Sequence, residues 1–402
     1  MTSPETVLLL IAAVIFLGFF GNLLFKSKGI PETLSLIFLG VALKFTGVFP
    51  PGTLDLFVPI FSQLTLAMIM FNVGMQLDLR DVFGEGAGAI GRSSLYMFLS
   101  VLLIFTLYHL FGGSVYQSLL LGAVIGGETT AAVIPFVAKA LAANDGKLLA
   151  NLTLETVFNS MVLVVLFFVF LNGYENSVPL DLVGVGTLLA TFLSQFSIGA
   201  ISGVLAGVFW IRFSRTMRMA DYLYIATVGY VLGVYALVSA LGGSGILTVL
   251  VLGVVFFNFG KFFPKYQLMI GTGGYISMFQ DEISFFLKSF FFVFLGLELS
   301  LGSFASGATW LVAGGCTAVL AVSRLLSTSL VDRGRDANSR KVIFMLMAQG
   351  LTPAVLSTTL LVDNVPGSSG IILIATLVII MTNVITTLGS YYMKRGTVQP
   401  PA

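Results

Sequence analysis

The chain has 402 residues, of which 57% are hydrophobic and only 9% charged, whereas a soluble domain carries about a quarter of its residues as Asp, Glu, Lys or Arg. A water-soluble fold of this length is therefore excluded. The 20 Lys and Arg nearly balance the 18 Asp and Glu, leaving no charge excess to attract nucleic acid or an acidic partner.

Met1 to Glu5 lead straight into apolar residues, with neither a basic stretch nor a small-residue cleavage site, so the first helix is expected to be retained. Apolar runs of about 17 to 25 residues then recur, each able to cross a hydrocarbon core of about 30 Å at about 1.5 Å per residue. They fall near 6–25, 32–48, 56–76, 93–112, 116–139, 149–171, 184–211, 222–241, 245–260, 282–301, 307–330, 342–361 and 369–392. The expected fold is all-α, a membrane protein of about thirteen transmembrane helices. Alternate connections collect the cations: Lys26 and Lys28; Arg80 and Arg92; Lys139 and Lys147; Arg212, Arg215 and Arg218; Lys261 and Lys265; Arg333, Arg335, Arg340 and Lys341; Lys394 and Arg395. On the opposite side only Lys44 is basic. Because cytoplasmic loops gather Lys and Arg, the N-terminus is expected outside and the C-terminus inside. No charged domain interrupts residues 1–402, which read as one membrane domain. The stretch 261–280 reads either as a helix lying on the cytoplasmic surface or as an ordinary loop.

Two runs carry residues that suit neither a continuous helix nor lipid. The fifth contains Gly126-Gly127-Glu128-Thr129-Thr130 followed by Pro135, and the twelfth contains Gln349-Gly350-Leu351-Thr352-Pro353. Both are expected to be broken helices, since non-helical backbone at membrane depth survives only where protein or a wet cavity satisfies it. Seven places apart, they run in opposite directions, as an inverted repeat requires. The alternative is a pair of ordinary Pro-kinked helices.

Four ionisable residues fall inside these runs: Glu128, Glu155, Lys288 and Arg324. Each costs at least ~2.5 kcal/mol at membrane depth unless paired or wet. Glu128 lies eleven residues from both Gln117 and Lys139, about 16 Å from either face, and is the best-placed proton carrier. Glu155 and Arg324 read either as a structural ion pair or as direct participants in transport. Lys288 reads either as a partner in such pairing or as snorkelling toward Asp281 and Glu282. Thr129, Thr130, Asn159 and Ser160 supply neutral oxygens suited to a partly dehydrated cation such as Na⁺, with Glu128, Asn159 and Ser160 as its expected ligands. Asn383 reads equally well as an interhelical hydrogen-bonding residue. A single cysteine, Cys316, and a single histidine, His109, offer neither a disulfide nor a zinc or haem ligand set. No cofactor is expected.

These motifs resemble those of the monovalent cation/proton antiporter superfamily, the sodium/proton exchangers. Gly127-Glu128-Thr129-Thr130 through Pro135 resembles the family's Ala-Thr-Asp-Pro-x-x-x-x-Pro broken helix. Glu155-Thr-Val-Phe-Asn159-Ser160 resembles its Glu-Ser-x-Phe-Asn-Asp helix, Ser323-Arg324 its basic residue of the eleventh helix, and Gly350-Leu351-Thr352-Pro353-Ala354-Val355 its second broken helix. The resemblance implies a homodimer in which a core ion-binding bundle, interleaved in sequence with a dimerisation bundle, moves like an elevator. It also implies a Glu155–Arg324 structural pair with Asn159 beside the ion. Two departures stand out: Ser160 replaces the family's proton-carrying Asp, and Thr129 replaces the Asp of the broken helix. The expectation is that the exchangeable carboxylate has moved to Glu128.

The expected function is thus exchange of a monovalent cation, Na⁺ first and Li⁺ or K⁺ next, for protons. Alternatives left open are a carrier of an anion or small organic solute, drawn by an uncompensated Lys288 or Arg324, and a channel or transport-inactive sensor on the same fold. An enzyme is disfavoured, because neither paired aspartates nor a Ser with a His occurs at useful spacing. The expected surroundings are the lipid of a prokaryotic plasma (inner) membrane.

Overall fold

The computed structural model describes residues 4–28, 32–47, 58–80, 86–127, 146–217, 222–262, 273–299 and 307–397. Their regular structure is fourteen helices. In chain order these are α1 Pro4–Lys28, α2 Glu32–Phe45, α3 Val58–Gln76, α4 Ala87–Leu110, α5 Val115–Ile125, α6 Gly146–Glu175 and α7 Leu182–Met217. They continue with α8 Leu223–Ala240, α9 Gly245–Phe262, α10 Gly273–Glu298, α11 Gly307–Val331, α12 Ala337–Met345, α13 Leu351–Val362 and α14 Ser368–Thr397. Among the described residues six helices, α4, α6, α7, α8, α11 and α14, contain stretches long and apolar enough to cross a membrane. The protein is a multi-pass membrane protein.

Helix ends depart from the hydrophobic runs where polar residues extend a helix beyond its apolar part. Cations assigned to connections lie on helices: Lys26 and Lys28 end α1, Arg212 and Arg215 lie in the last turns of α7, and Lys394 and Arg395 near the end of α14. Arg340 and Lys341 lie within α12, which starts five residues before its apolar run because the Asp336 carboxylate accepts from the Ser339 amide (3.0 Å) as an N-cap. Of the stretch 261–280, residues 273–280 are the start of α10, and 263–272 lie outside the described residues.

The chain divides into two compact units, one of residues 1–62, 88–159 and 286–402, the other of 63–87 and 160–285. In the first, α14 packs against α11, α13, α5 and α2. Helices α2 and α10 meet backbone to backbone: a Cβ on Gly40 would strike the Val293 carbonyl, and one on Gly296 the Ile37 carbonyl. The end of α10 is capped by Lys44, whose Nζ donates to the carbonyls of Leu297 and Leu299, both at 2.8 Å.

The second unit is built on α7 and α9. Gly199, Gly203 and Gly207, one turn apart, admit Leu247, Thr248, Val251 and Val255 of α9 to within van der Waals contact of the α7 backbone. Where lipid removes the hydrophobic drive between helices, such close contact is what holds them. Trp210 of α7 donates to Thr227 of α8 (3.0 Å) and stacks on Tyr230. Helix α7 also exposes Leu189, Leu193, Ile201, Leu205 and Phe209.

Candidate functional site

Both sequence breaks with described residues lie in the first unit. Helix α12 stops at Met345, residues 346–350 are not helical, and α13 starts at Leu351. Pro353 falls in the first turn of α13, where a missing N–H costs nothing. All five residues of the interruption are buried, so their backbone groups need partners. Helix α14 supplies those of Gln349 and of the adjoining Met345 carbonyl. Thr386 Oγ1 donates to the Met345 carbonyl (2.9 Å), Thr382 Oγ1 accepts from the Gln349 amide (3.1 Å), and Asn383 Nδ2 donates to the Gln349 carbonyl (2.8 Å). Asn383 thus serves the interruption, in addition to donating to Ile379 of its own helix (2.7 Å).

On the facing side α5 ends at Ile125, and Gly126 and Gly127 lead out of it, both buried. The Gln349 side chain ties the two places together: its Nε2 donates to the Ile125 carbonyl at 3.1 Å and to the Gly127 carbonyl. Gln349 is fully buried, and its Oε1 has no partner among the described residues. Glu128, Thr129 and Thr130 follow Gly127 directly in sequence but lie outside the described residues, as does Pro135. Gly350, Thr352 and Pro353 are buried at the start of α13.

A second buried polar group is charged. Glu155 of α6 faces two guanidinium groups: Arg324 of α11 donates to both of its carboxylate oxygens, and Arg92 of α4 donates to Oε2 through Nε (3.1 Å) and Nη2 (3.0 Å). Arg92 Nη1 also holds both oxygens of Asp332 (2.8 and 2.6 Å), which in turn takes Arg335 at 2.8 Å. Arg324 Nε donates to the Ile343 carbonyl of α12 (2.8 Å). Glu155, Arg92 and Arg324 have no solvent-accessible surface. The buried charges therefore extend beyond the four expected. Arg92, assigned to a loop, is inside α4, because the glycine-rich stretch before it is already helical from Ala87.

Lys288 sits outside this cluster and pairs with Glu32 at the start of α2 (2.6 Å). The carboxylate that meets it comes from a distant helix, whereas Glu282, one of the two nearer in sequence, is exposed. One turn beyond Glu155, Asn159 Oδ1 accepts from the Ser93 hydroxyl of α4 (2.7 Å), and Asn159 Nδ2 has no partner among the described residues. A hydroxyl both donates and accepts, so Ser93 holds either orientation of the Asn159 amide. Ser160 is also buried.

Asp332, Ser93, Thr382 and Thr386 were not singled out by the sequence, and Arg92 was read as a cation of a connection. An apolar helix run read from Ala87 would have placed Arg92 a full turn inside.

Comparison with known proteins agrees with this architecture. The family described as sodium/hydrogen exchanger, transmembrane, matches residues 9–391. The low-affinity Na⁺/H⁺ antiporter NhaS1 of Synechocystis sp. is 25% identical over 304 residues, 75% of this chain and 55% of that protein. The Na⁺/H⁺ antiporter ApNhaP of Aphanothece halophytica is 24% identical over 286 residues, 69% of this chain and 51% of that one. This chain spans about half the length of those two relatives. A probable Na⁺/H⁺ antiporter 2 of Methanocaldococcus jannaschii is 22% identical over 370 residues, 86% and 84% of the two chains. In three dimensions the sodium proton antiporter MjNhaP1 of Methanocaldococcus jannaschii has the same fold, with a TM-score of 0.78 at 17% identity, covering 96% of this chain and all of that one. The family match runs through nearly every helix described above, and on it the chain belongs to the sodium/hydrogen exchanger family.

Proposed function

We propose that the protein exchanges a monovalent cation, Na⁺ before Li⁺ or K⁺, for protons across a prokaryotic plasma membrane. The observation that carries this reading is the junction of two interruptions. The end of α5 at Ile125, and Gly127 next to Glu128, are hydrogen-bonded to the non-helical 346–350 segment through one fully buried side-chain amide. Interrupted helices meeting in this way form the ion sites of secondary transporters, where helix ends and unwound backbone supply partial charges. In this reading α5 with the residues after it, and α12 with α13, are two interrupted crossings of an inverted repeat. The chain crosses about thirteen times, with its N-terminus outside and its C-terminus inside.

Glu128 is the exchangeable carboxylate, binding a proton or a cation in turn, and Thr129, Asn159 and Ser160 complete the site for Na⁺. One cation displacing one proton from one carboxylate makes the exchange electroneutral. Alternating access follows an elevator motion of a core bundle against a dimerisation bundle in a homodimer, and the exposed apolar residues of α7 suit a second copy or lipid. The charged cluster is structural. An anion carrier would call for an uncompensated cation, yet Arg324 and Arg92 face Glu155 and Asp332, and Lys288 faces Glu32.

The test is internal pH in proteoliposomes after Na⁺, Li⁺ or K⁺ gradients are imposed, for the natural chain and Glu128→Gln. Cation-dependent proton movement lost in the variant is the expected result. Flux that survives would keep the exchanger and remove Glu128 from its site, and no flux with any cation would sink the exchange reading.

A further inference from the structure

Among the described residues two buried oxygens that can only accept a hydrogen bond have no partner: Glu32 Oε1 and Gln349 Oε1. The first belongs to a carboxylate already engaged by Lys288. The second is different in kind. Gln349 has no solvent-accessible surface and is held at three points: its amide by Thr382, its carbonyl by Asn383, and its side-chain nitrogen by the Ile125 and Gly127 carbonyls.

That nitrogen has two hydrogens and two carbonyl acceptors, so both are used. Turning the amide over would press Oε1 against two carbonyl oxygens and strand the donors. The orientation of Gln349 is therefore fixed, unlike that of Asn159. Leaving a buried acceptor bare is unfavourable, and buried polar atoms without partners are rare enough to call for an ion or an ordered water. An amide oxygen offers no proton, so its complement is a cation or a donor.

We propose that Gln349 Oε1 is a ligand of the transported monovalent cation, a neutral oxygen supplied by the second interruption. This rests on the exchange reading above and names a ligand that reading did not include. The chemistry fits the departure at Ser160. With one carboxylate fewer, coordination number has to come from neutral oxygens, and an added neutral ligand binds a hard cation without adding a charge that would have to be moved. The Gly127 carbonyl held by Gln349 belongs to the peptide bond that joins Gly127 to Glu128, so Gln349 is anchored to the backbone that leads to that carboxylate.

Gln349→Met keeps the length and removes the oxygen, and Gln349→Glu keeps the shape and adds a titratable group. Both are compared with the natural chain in proteoliposomes and by thermal unfolding of the purified protein in Na⁺, Li⁺, K⁺ or choline at constant ionic strength, since a ligand that binds only the folded state raises its melting temperature. For Gln349→Met the Na⁺ KM is expected to rise roughly ten-fold or more, the scale of one lost charged contact, with a changed Li⁺-to-Na⁺ preference and a weakened Na⁺-dependent stabilisation. For Gln349→Glu the pH profile of exchange is expected to move. An equal loss of rate for all cations, with KM, preference and pH profile unchanged, would reduce Gln349 to a tie between helices and overturn the proposal. If both variants fail to fold, the natural chain decides through the carbonyl stretch of ¹³C-labelled glutamine side chains. A shift on replacing choline with Na⁺ supports the ligand; its absence, including the case of a resident water alone, overturns it. A natural chain that responds to no cation in either assay rejects the exchange reading itself, a result distinct from all of these.

Discussion

Two buried polar regions of the same unit are solved in opposite ways. Around Glu155 the groups are fully charged, and every one is answered: two guanidinium groups, two carboxylates and one backbone carbonyl leave no atom of Arg92, Glu155, Arg324 or Asp332 bare. At residues 346–350 the groups are neutral, the Gln349 backbone is answered by Thr382 and Asn383 and the adjoining Met345 carbonyl by Thr386, and one side-chain oxygen is left over. A closed charge cluster has nothing left with which to bind an ion, and its rearrangement would expose unpaired charge in low dielectric. A neutral lattice with an open position can gain and lose a ligand at small cost. On the reading proposed above, the contrast separates what holds the helices from what binds the ion.

The largest effects should come from breaking the closed cluster. Glu155→Gln leaves two guanidinium groups with one carboxylate between them, and loss of one member of a buried ion pair costs about 3–5 kcal/mol. The expected result is a steep fall in folded yield and melting temperature, with cation preference in any surviving exchange unchanged. The double variant Arg92→Met with Asp332→Leu removes one charge of each sign, and it should be milder than Arg92→Met alone, because it does not leave a buried Asp332 with only the partly exposed Arg335 to answer it. A double variant no more stable than the single would contradict the closed-cluster account.

Smaller effects belong to the neutral lattice. Asn383→Leu strands the Gln349 carbonyl and should cost about 1–3 kcal/mol, read as a lower melting temperature, and it should also slow exchange with every cation because it loosens the backbone beside the proposed ligand. Thr386→Val, which strands only the Met345 carbonyl, should cost about 1 kcal/mol and leave cation preference as it is.

Much of this contrast was legible in the chain and part was not, for physical reasons. Apolar runs mark helices because the bilayer sets a length, and Glu155 and Arg324 stand out because charge within such a run is expensive. Arg92 and Asp332 did not stand out. Each lies at the edge of a run beside glycine or further charge, where a buried cation and an interfacial one look the same until the helix start is known. Gln349 was visible as a polar residue at a break, but which of its atoms is engaged depends on Ile125, Gly127, Thr382 and Asn383, all distant in sequence. The meeting of Gly40 with Gly296 likewise depends on a crossing between helices far apart in the chain.

The smallest effect sharpens the comparison from outside the membrane. Asp78, in the connection after α3, binds Lys261 Nζ at 2.5 Å and accepts from the Arg80 amide at 3.0 Å. Burial raises its carboxyl, but the hydrogen bond from Lys261, the Arg80 amide and the two positive charges outweigh this and hold it below its ordinary value of 3.8. A lowered carboxylate pKa stabilises the fold above the unfolded value and loses that contribution as pH falls through the folded one. Both side chains are about a quarter exposed or more, so water and salt screen the pair to within about 1 kcal/mol. Asp78→Asn should therefore lower the melting temperature slightly and equally from pH 5 to 7, and the gap to the natural chain should close only as pH falls below 3.8. The same gap should shrink with added salt, which reaches this pair but not Glu155. A gap that is large, insensitive to salt and open at pH 3 would mean that Asp78 behaves like the closed cluster rather than like a wet surface pair.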